Sequence, residues 1–184
     1  MLKDFSSHIM DIAKHSIASG ATILHIEINE EPANDLLIII IEDNSARASW
    51  GRNSANPAVA QKFASTKPSE SGIPFLEQTC SQCGGHLCLE ESPVVKLTAV
   101  VQYNHADRPM MGDILSVIQS LVVANPDVDI RYTHRYNGKE YGISSSSIKR
   151  ILDGVPFDTP SVSKWIKENM GEGLTEIMQS EVLL

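Results

Sequence analysis

The fold is decided by two stretches of sequence, Asp11-Ile-Ala-Lys-His-Ser-Ile-Ala-Ser-Gly-Ala21 and Leu36-Leu-Ile-Ile-Ile-Ile-Glu-Asp43-Asn44. The first predicts the end of an amphipathic helix over residues 3–19, because apolar residues recur at 3.6-residue spacing and Gly20 suits the position just past a helix C-terminus. The second predicts a strand over residues 35–42. This strand lacks polar alternation, so we expect it to lie centrally in a sheet and to be covered on both faces.

The rest of the first half of the chain also follows an α+β pattern. Residues 22–29 alternate between apolar and polar side chains, as in a strand with one covered face. Residues 43–71 carry little periodicity, which is typical of a functional lid or a disordered loop. A helix over residues 72–83 and two strands on either side of Ser92-Pro93 complete a predicted domain of residues 1–104.

Residues 105–184 predict a second, smaller α+β module. Its first helix ends at Asn125-Pro126, and Asn137-Gly138 is a strong signal for a β-hairpin. Three short helices are predicted to follow, over residues 145–153, 160–169 and 172–181.

Composition excludes some classes of function. The chain has 184 residues and a formal net charge of −8, without a basic run, so we expect no nucleic-acid partner, which would need clustered Lys and Arg. The longest apolar run, residues 36–41, is far shorter than the roughly 20 residues that span a bilayer, so no membrane partner is expected. The N-terminus lacks the apolar core of a signal peptide, and we therefore expect a cytoplasmic protein.

The three cysteines, Cys80, Cys83 and Cys88, are expected to be reduced, because their number is odd and no export signal precedes them. Their spacing admits a partial metal or iron–sulfur site, although such sites usually need four ligands. We expect small, buried side chains instead, since free cysteine is often buried.

The order of helix, Gly-Ala break, two strands and an acid at the strand exit resembles the histidine-kinase-like (GHKL) ATPase superfamily of gyrases, chaperones and sensor kinases. The resemblance implies a two-layer α/β sandwich of the Bergerat type for residues 1–104. The whole chain resembles small stand-alone ATP-binding proteins with a C-terminal module, of the type encoded beside iron-only hydrogenase subunits. The matching segments are residues 8–17, 72–76, 82–85, 107–109, 132–134, 138–140 and 165–167.

The resemblance assigns a catalytic role to the first helix. Asp11 matches the acid that orients or deprotonates the attacking water. His15, one turn further on, matches an asparagine that ligates Mg²⁺. Imidazole is a poor substitute there, because Mg²⁺ prefers hard oxygen ligands.

The resemblance places nucleotide contacts further along the chain. Asp43 matches the acid that accepts a hydrogen bond from the adenine amino group, with Asn44 beside it. The glycines expected after Asp43 are replaced by Ser45 and Arg47, and a non-glycine residue in such a conformation costs about 1–3 kcal/mol.

Lys67 and Gly72 match the lid and the phosphate-binding start of the next helix. Glu70 lies where a second glycine is expected, and a carboxylate beside a triphosphate is repulsive. Val94-Val95 replaces a Gly-Thr pair that lines the base. The implied cofactors, ATP and Mg²⁺, are therefore expected to bind weakly or not at all.

These substitutions predict a degenerate ATPase that acts as a regulatory or protein-binding scaffold, with a protein partner or a second copy of itself. One alternative is an ATP-binding regulator or weak ATPase that uses Asp11, Asp43, Lys67 and Gly72. Another is a metal or redox accessory protein that uses the cysteines or His8, Asp11 and His15, which lie on one helix face. We also expect the C-terminal module or a second subunit to cover the face of the sheet opposite the first helices.

Overall fold

The computed structural model describes residues 4–45, 72–90 and 94–179. Within these ranges the helices are α1 (Phe5–Ala18), α2 (Ile73–Gln82), α3 (Ile114–Ala124), α4 (Ser145–Leu152) and α5 (Pro160–Gln179). The strands are β1 (Ile23–Glu31), β2 (Leu36–Asp43), β3 (His86–Glu90), β4 (Val95–Gln102), β5 (Asp129–Tyr136) and β6 (Lys139–Ser144). The predicted α+β class is confirmed, and the sheet and helices are compatible with an α/β sandwich. The lid prediction falls on residues outside these ranges.

One mixed sheet of six strands runs in the order β3-β4-β2-β1-β5-β6. Every neighbouring pair is antiparallel except β1 and β5, which run parallel. The predicted hairpin at Asn137-Gly138 is present as β5–β6, and β5 pairs with β1 over residues 129–136. Strands from both predicted domains therefore belong to one continuous sheet, whereas the division into domains at residue 105 stays a prediction.

The helices pack on one face of this sheet. Alternate residues of β1, β2 and β4 are buried, and the register aligns them, as in the row Ile28, Ile39 and Ala99. All five helices contribute to the single apolar cluster that lies against these residues. The buried face thus carries the core of the described protein.

The other face, which we call the open face, carries the remaining alternate residues. Its centre is an apolar patch of half-buried side chains: Leu36, Ile38, Ile40 and Val100. β2 is central, as predicted, but it is not buried on both faces. The opposite face was predicted to be covered by the C-terminal module or by a second subunit. The first alternative is wrong for the described helices, because Ile130 and Tyr132 of β5 continue the buried face of β1 and the C-terminal helices follow that apolar surface. Cover by a second subunit stays a prediction.

The start of α1 is tied to the chain that precedes α3. The Asp4 carboxylate caps the helix by accepting from the Ser7 N–H at 2.8 Å, and the Ser7 hydroxyl and N–H lower the pKa of Asp4. Phe5 N–H and Ser6 N–H donate to the carbonyls of Met110 and Met111 at 3.0 and 2.8 Å. These bonds fix α1 relative to the C-terminal half of the chain.

The last helix differs from its prediction. Two short helices were expected over residues 160–169 and 172–181, yet α5 is continuous from Pro160 to Gln179. Gly171 and Gly173 lie inside it without ending it. Gly173 has a packing role, because a Cβ at this position would overlap the ring of Tyr141 on β6.

Substitution of Gly173 by alanine should therefore destabilise the protein by about 1–3 kcal/mol, since the new methyl group must displace the Tyr141 ring. Gly171→Ala is the matched control on the same helix. Its Cβ would meet only Leu115 Cδ1 at 3.7 Å, and alanine favours a helix over glycine by up to about 1 kcal/mol. Urea unfolding measures both, and equal stability of the two variants would contradict the packing of α5 on β6.

Candidate functional site

The candidate site lies where α1, the end of β2 and the start of α2 meet. α1 supplies Asp11 and His15, β2 ends at Asp43, and Gly72 precedes the first residue of α2. Four of the predicted site residues thus belong to three adjacent elements, because α1 packs against both β2 and α2. Lys67 lies outside the described residues.

Asp43 is a buried acid whose two carboxylate oxygens differ in their hydrogen bonding. It is the last residue of β2 on the buried face and is 2% exposed. Its Oδ1 accepts from the Ser45 N–H at 2.7 Å, whereas Oδ2 has no hydrogen-bond partner among the described residues. A buried carboxylate oxygen without a partner is costly and is expected to meet a donor from outside the chain.

Two buried hydroxyl groups, those of Ser16 on α1 and Ser45 after β2, also find no hydrogen-bond partner within the described ranges. Ser45 replaces a glycine that the resemblance implies. Ser16 was not a predicted site residue, although the sequence holds a signal for it, since a hydroxyl stands within the apolar stripe of α1. Unsatisfied polar atoms therefore lie on both α1 and the exit of β2.

The side chain of Asn44 is engaged within the protein. Its Oδ1 accepts from the backbone N–H groups of Thr22 and Ile23, both at 2.9 Å, and its Nδ2 donates to the Thr22 hydroxyl at 2.8 Å. These three bonds hold the start of β1 beside the end of β2. The side chain that was predicted to contact a cofactor thus has a structural role in this arrangement.

Asp11 lies against the start of α2. Gly72 has a φ of +67°, and a Cβ built on it would lie 3.1 Å from the Asp11 Cβ. Both the left-handed backbone and this close approach favour glycine at position 72. The N–H groups at the start of a helix attract anions, and the Asp11 carboxylate lies beside the start of α2.

Val95 is directly opposite Asp43 in the β2–β4 ladder and is buried. The two side chains share the buried face, so an apolar group stands beside the acid. The environment of Asp43 is therefore apolar on the β4 side, which strengthens any hydrogen bond made there.

Metal ligation finds little support in the described part of the chain. It contains no group of three or more His, Cys, Asp and Glu side chains arranged to hold an ion. The predicted set of His8, Asp11 and His15 lies wholly within that part. His15 is partly exposed one turn along α1 from Asp11, and its imidazole is not the oxygen ligand that Mg²⁺ prefers.

The cysteines divide into two kinds. Cys80 and Cys83 are buried, as predicted, but Cys88 is exposed. Burial raises the pKa of the Cys80 thiol to about 12 and also raises the pKa of Cys83, so neither forms the reactive thiolate at neutral pH. Alternation along β3 explains Cys88, because every second residue of that strand lies on the open face.

A buried polar network that the sequence did not predict links β1 and β5. Tyr132 Oη lies 2.6 Å from His134 Nδ1, and His134 Nε2 lies 2.8 Å from Glu30 Oε1. Because a carboxylate only accepts, the Nε2–H of His134 donates to Glu30. Burial raises the pKa of Tyr132. These hydrogen bonds join polar side chains that are buried between the strands, and they stabilise the parallel β1–β5 pair.

Among the helices of the described ranges, none combines the length and the apolar character needed to cross a bilayer. The chain matches no protein-family model, and a search of curated proteins gave no significant match. Function is therefore inferred from the geometry around Asp43 and from the surfaces of the sheet.

Proposed function

We propose that this protein is a regulatory scaffold of the histidine-kinase-like ATPase type that retains a weak adenine-nucleotide site, does not hydrolyse the nucleotide, and acts by binding a partner protein. The buried Asp43 carboxylate carries this proposal, because one of its oxygens is satisfied and the other finds no partner in the part of the chain that the structure describes. A donor that enters the site from outside would remove the cost of that unpaired oxygen.

The order and contacts of the elements support the assignment. The described chain begins with a helix that carries Asp11, and two antiparallel strands follow it. An acid then ends the second strand, and a glycine precedes the next helix. This is the order that the resemblance implies. Asp11 and Gly72 are also adjacent in space. An acid and a helix N-terminus therefore stand together at one end of the proposed pocket, and Asp43 stands at the exit of the strand that α1 packs against.

Asp43 has the chemistry needed to recognise an amino-substituted purine. The exocyclic amino group of adenine donates hydrogen bonds, and Oδ2 of Asp43 can only accept as a carboxylate. A hydrogen bond to a charged group in an apolar environment contributes about 1.5–3 kcal/mol. That contribution is large enough to select adenine over a base that presents an acceptor at the same position.

The residues beside the proposed phosphate region do not fit magnesium-dependent hydrolysis. His15 stands where an oxygen ligand is expected, and imidazole suits softer metals than Mg²⁺. We therefore assign base recognition to this site and no hydrolytic step.

The open face is the surface proposed for the partner. Its apolar patch, defined by Leu36, Ile38, Ile40 and Val100, is flanked on the β1–β5–β6 side by ion pairs that Arg135 makes with Glu27 and Glu140. Apolar centres with polar surroundings are typical of protein interaction sites.

A functional ATP-binding regulator with weak ATPase activity is the second candidate. The contact between Asp11 and Gly72 favours it, because an acid at this place could orient water near a bound phosphate. Release of phosphate that depends on Asp11 would identify this second function.

Asp43→Asn should abolish nucleotide binding. The asparagine oxygen would keep the bond from Ser45 N–H, so its NH₂ group would replace Oδ2 and oppose the adenine amino group. Millimolar ADP is expected to raise the melting temperature of the wild type but not of this variant. Glu42→Gln is the matched control, because the neighbouring side chain on β2 points to the open face.

Equal thermal shifts in wild type and Asp43→Asn, or none in either, would contradict base recognition by Asp43. Phosphate release from Mg-ATP above the background of Asp11→Asn would contradict the loss of hydrolysis.

A photoreactive amino acid at position 40, on the open face, should cross-link a discrete partner in extracts of the native host. The same group at position 78, which is exposed on α2, should give no such product. Cross-links of equal yield at both positions would remove the open face as the partner site.

A further inference from the structure

We propose that two copies of this chain associate through the outer edges of their β3 strands, antiparallel and with Cys88 on the two-fold axis, so that the six strands of each copy form one continuous sheet. This inference does not rest on nucleotide binding. It rests on the position of β3, the direction of its backbone groups and the order of its side chains.

β3 is a terminal strand of the described sheet, and its sequence contains no Lys or Pro. It pairs with β4 on one side, and no other strand within residues 4–45, 72–90 and 94–179 pairs with it. Natural edges are commonly protected by Lys, Pro or a bulge, whereas β3 reads His86-Leu-Cys-Leu-Glu90. The opposite edge, β6, carries Lys139 and Gly142. β3 is therefore the edge better suited to accept another strand.

The backbone of β3 presents its outward groups at two leucines. In β4, Tyr103 N–H donates to Asp35 O on the β2 side, and Gln102 N–H donates to Cys83 O on the β3 side. Even-numbered residues of β4 therefore face β3. Their partners in β3 are the even-numbered residues, so the N–H and C=O groups of Leu87 and Leu89 point away from the sheet.

Antiparallel pairing centred on Cys88 uses all of these groups. Leu87 of one copy lies opposite Leu89 of the other and exchanges both backbone bonds with it, and the two-fold axis repeats this pair. Both leucines are half-buried and pack against the core from the helix side. The second copy would thus extend the apolar layer beneath the helices as well as the hydrogen-bonded ladder.

The polar side chains of β3 are complementary in the same register. His86 lies opposite Glu90 of the second copy, where an imidazole N–H can donate to the carboxylate, and the axis creates this pair twice. A shift by two residues would place Cys88 opposite Glu90 or His86 and lose both pairs, and a shift by one residue would move every side chain to the other face. The centred register is therefore the one that satisfies the strand.

Cys88 provides a direct report on this geometry. In an antiparallel pair, directly opposed residues that do not share backbone bonds have Cα atoms about 4.5 Å apart. This separation lies within the range of about 4.4–6.8 Å for disulfides. Cys88 is the exposed cysteine, whereas Cys80 and Cys83 are buried, so a disulfide between copies identifies β3 without ambiguity.

Sedimentation velocity of the full chain under reducing conditions should show a dimer. Diamide, which takes two electrons and two protons from a pair of thiols, should then convert it to a Cys88–Cys88 disulfide dimer. Cys88→Ser should remain dimeric without forming the disulfide, whereas Cys80→Ser should still form it. If the wild-type protein is a monomer at about 100 μM, the proposal is overturned, because the Kd of dimerisation would then lie well above that concentration.

A charge exchange tests the register. Glu90→Lys places lysine opposite His86 and should weaken the dimer at least about tenfold, equivalent to about 1.4 kcal/mol. The double variant His86→Glu/Glu90→Lys should restore dimerisation and the disulfide yield, which also shows that the altered strand folds. Glu140→Lys on β6 is the matched control, and it should leave dimerisation and the disulfide yield unchanged. A dimer unaffected by Glu90→Lys, or lost equally in Glu140→Lys, would overturn the β3 interface.

Discussion

The simultaneous pairing of β1 with β2 on one side and β5 on the other is the constraint on which the rest of the structure depends. Leu24, Ile26 and Ile28 lie in register with buried residues of both neighbours, so one apolar face extends across strands that are distant in sequence. Every described helix packs on that face, because it is the continuous apolar surface that the sheet provides. The Glu30–His134–Tyr132 network stabilises the same β1–β5 pair from within the core.

The properties of the candidate site follow from this one-sided packing. Asp43 continues the buried alternation of β2 two residues beyond Ile41, so its carboxylate is placed under the helical layer instead of in water. Such a placement lowers stability unless the acid gains a donor, and proteins commonly retain such costs at functional positions. Base recognition by Asp43 and partner binding on the open face would then use opposite sides of the same strand.

Much of the fold could be predicted from local sequence patterns. α1, β1 and β2 follow from 3.6-residue or alternating periodicity, and Asn137-Gly138 predicts the β5–β6 hairpin. The parallel pairing of β5 with β1 could not be predicted in this way, because it joins residues more than one hundred positions apart and leaves no local signal. The continuity of α5 was missed for a related reason, since the role of Gly173 depends on Tyr141 of another element.

Motif order in the sequence could indicate which residues come together at the candidate site, but it could not indicate their contacts. Asp11, Asp43 and Gly72 were predicted from motif order and lie on three adjacent elements. The internal bonds of Asn44 and the unsatisfied hydroxyl of Ser16 depend on tertiary contacts that no spacing reveals. The exposure of Cys88 likewise follows from the face that β3 presents, not from the cysteine spacing.

The one-sided packing of the sheet is tested most directly by comparing the unfolding free energies of Ile39→Glu and Ile40→Glu, two neighbours on β2 that point to opposite faces. A glutamate at position 39 would bury a charge against the helices and should cost more than about 3 kcal/mol or prevent folding. At position 40 it would meet solvent on the open face and should cost about 1 kcal/mol. Equal costs at the two positions would contradict the open face and the surface proposed for a partner.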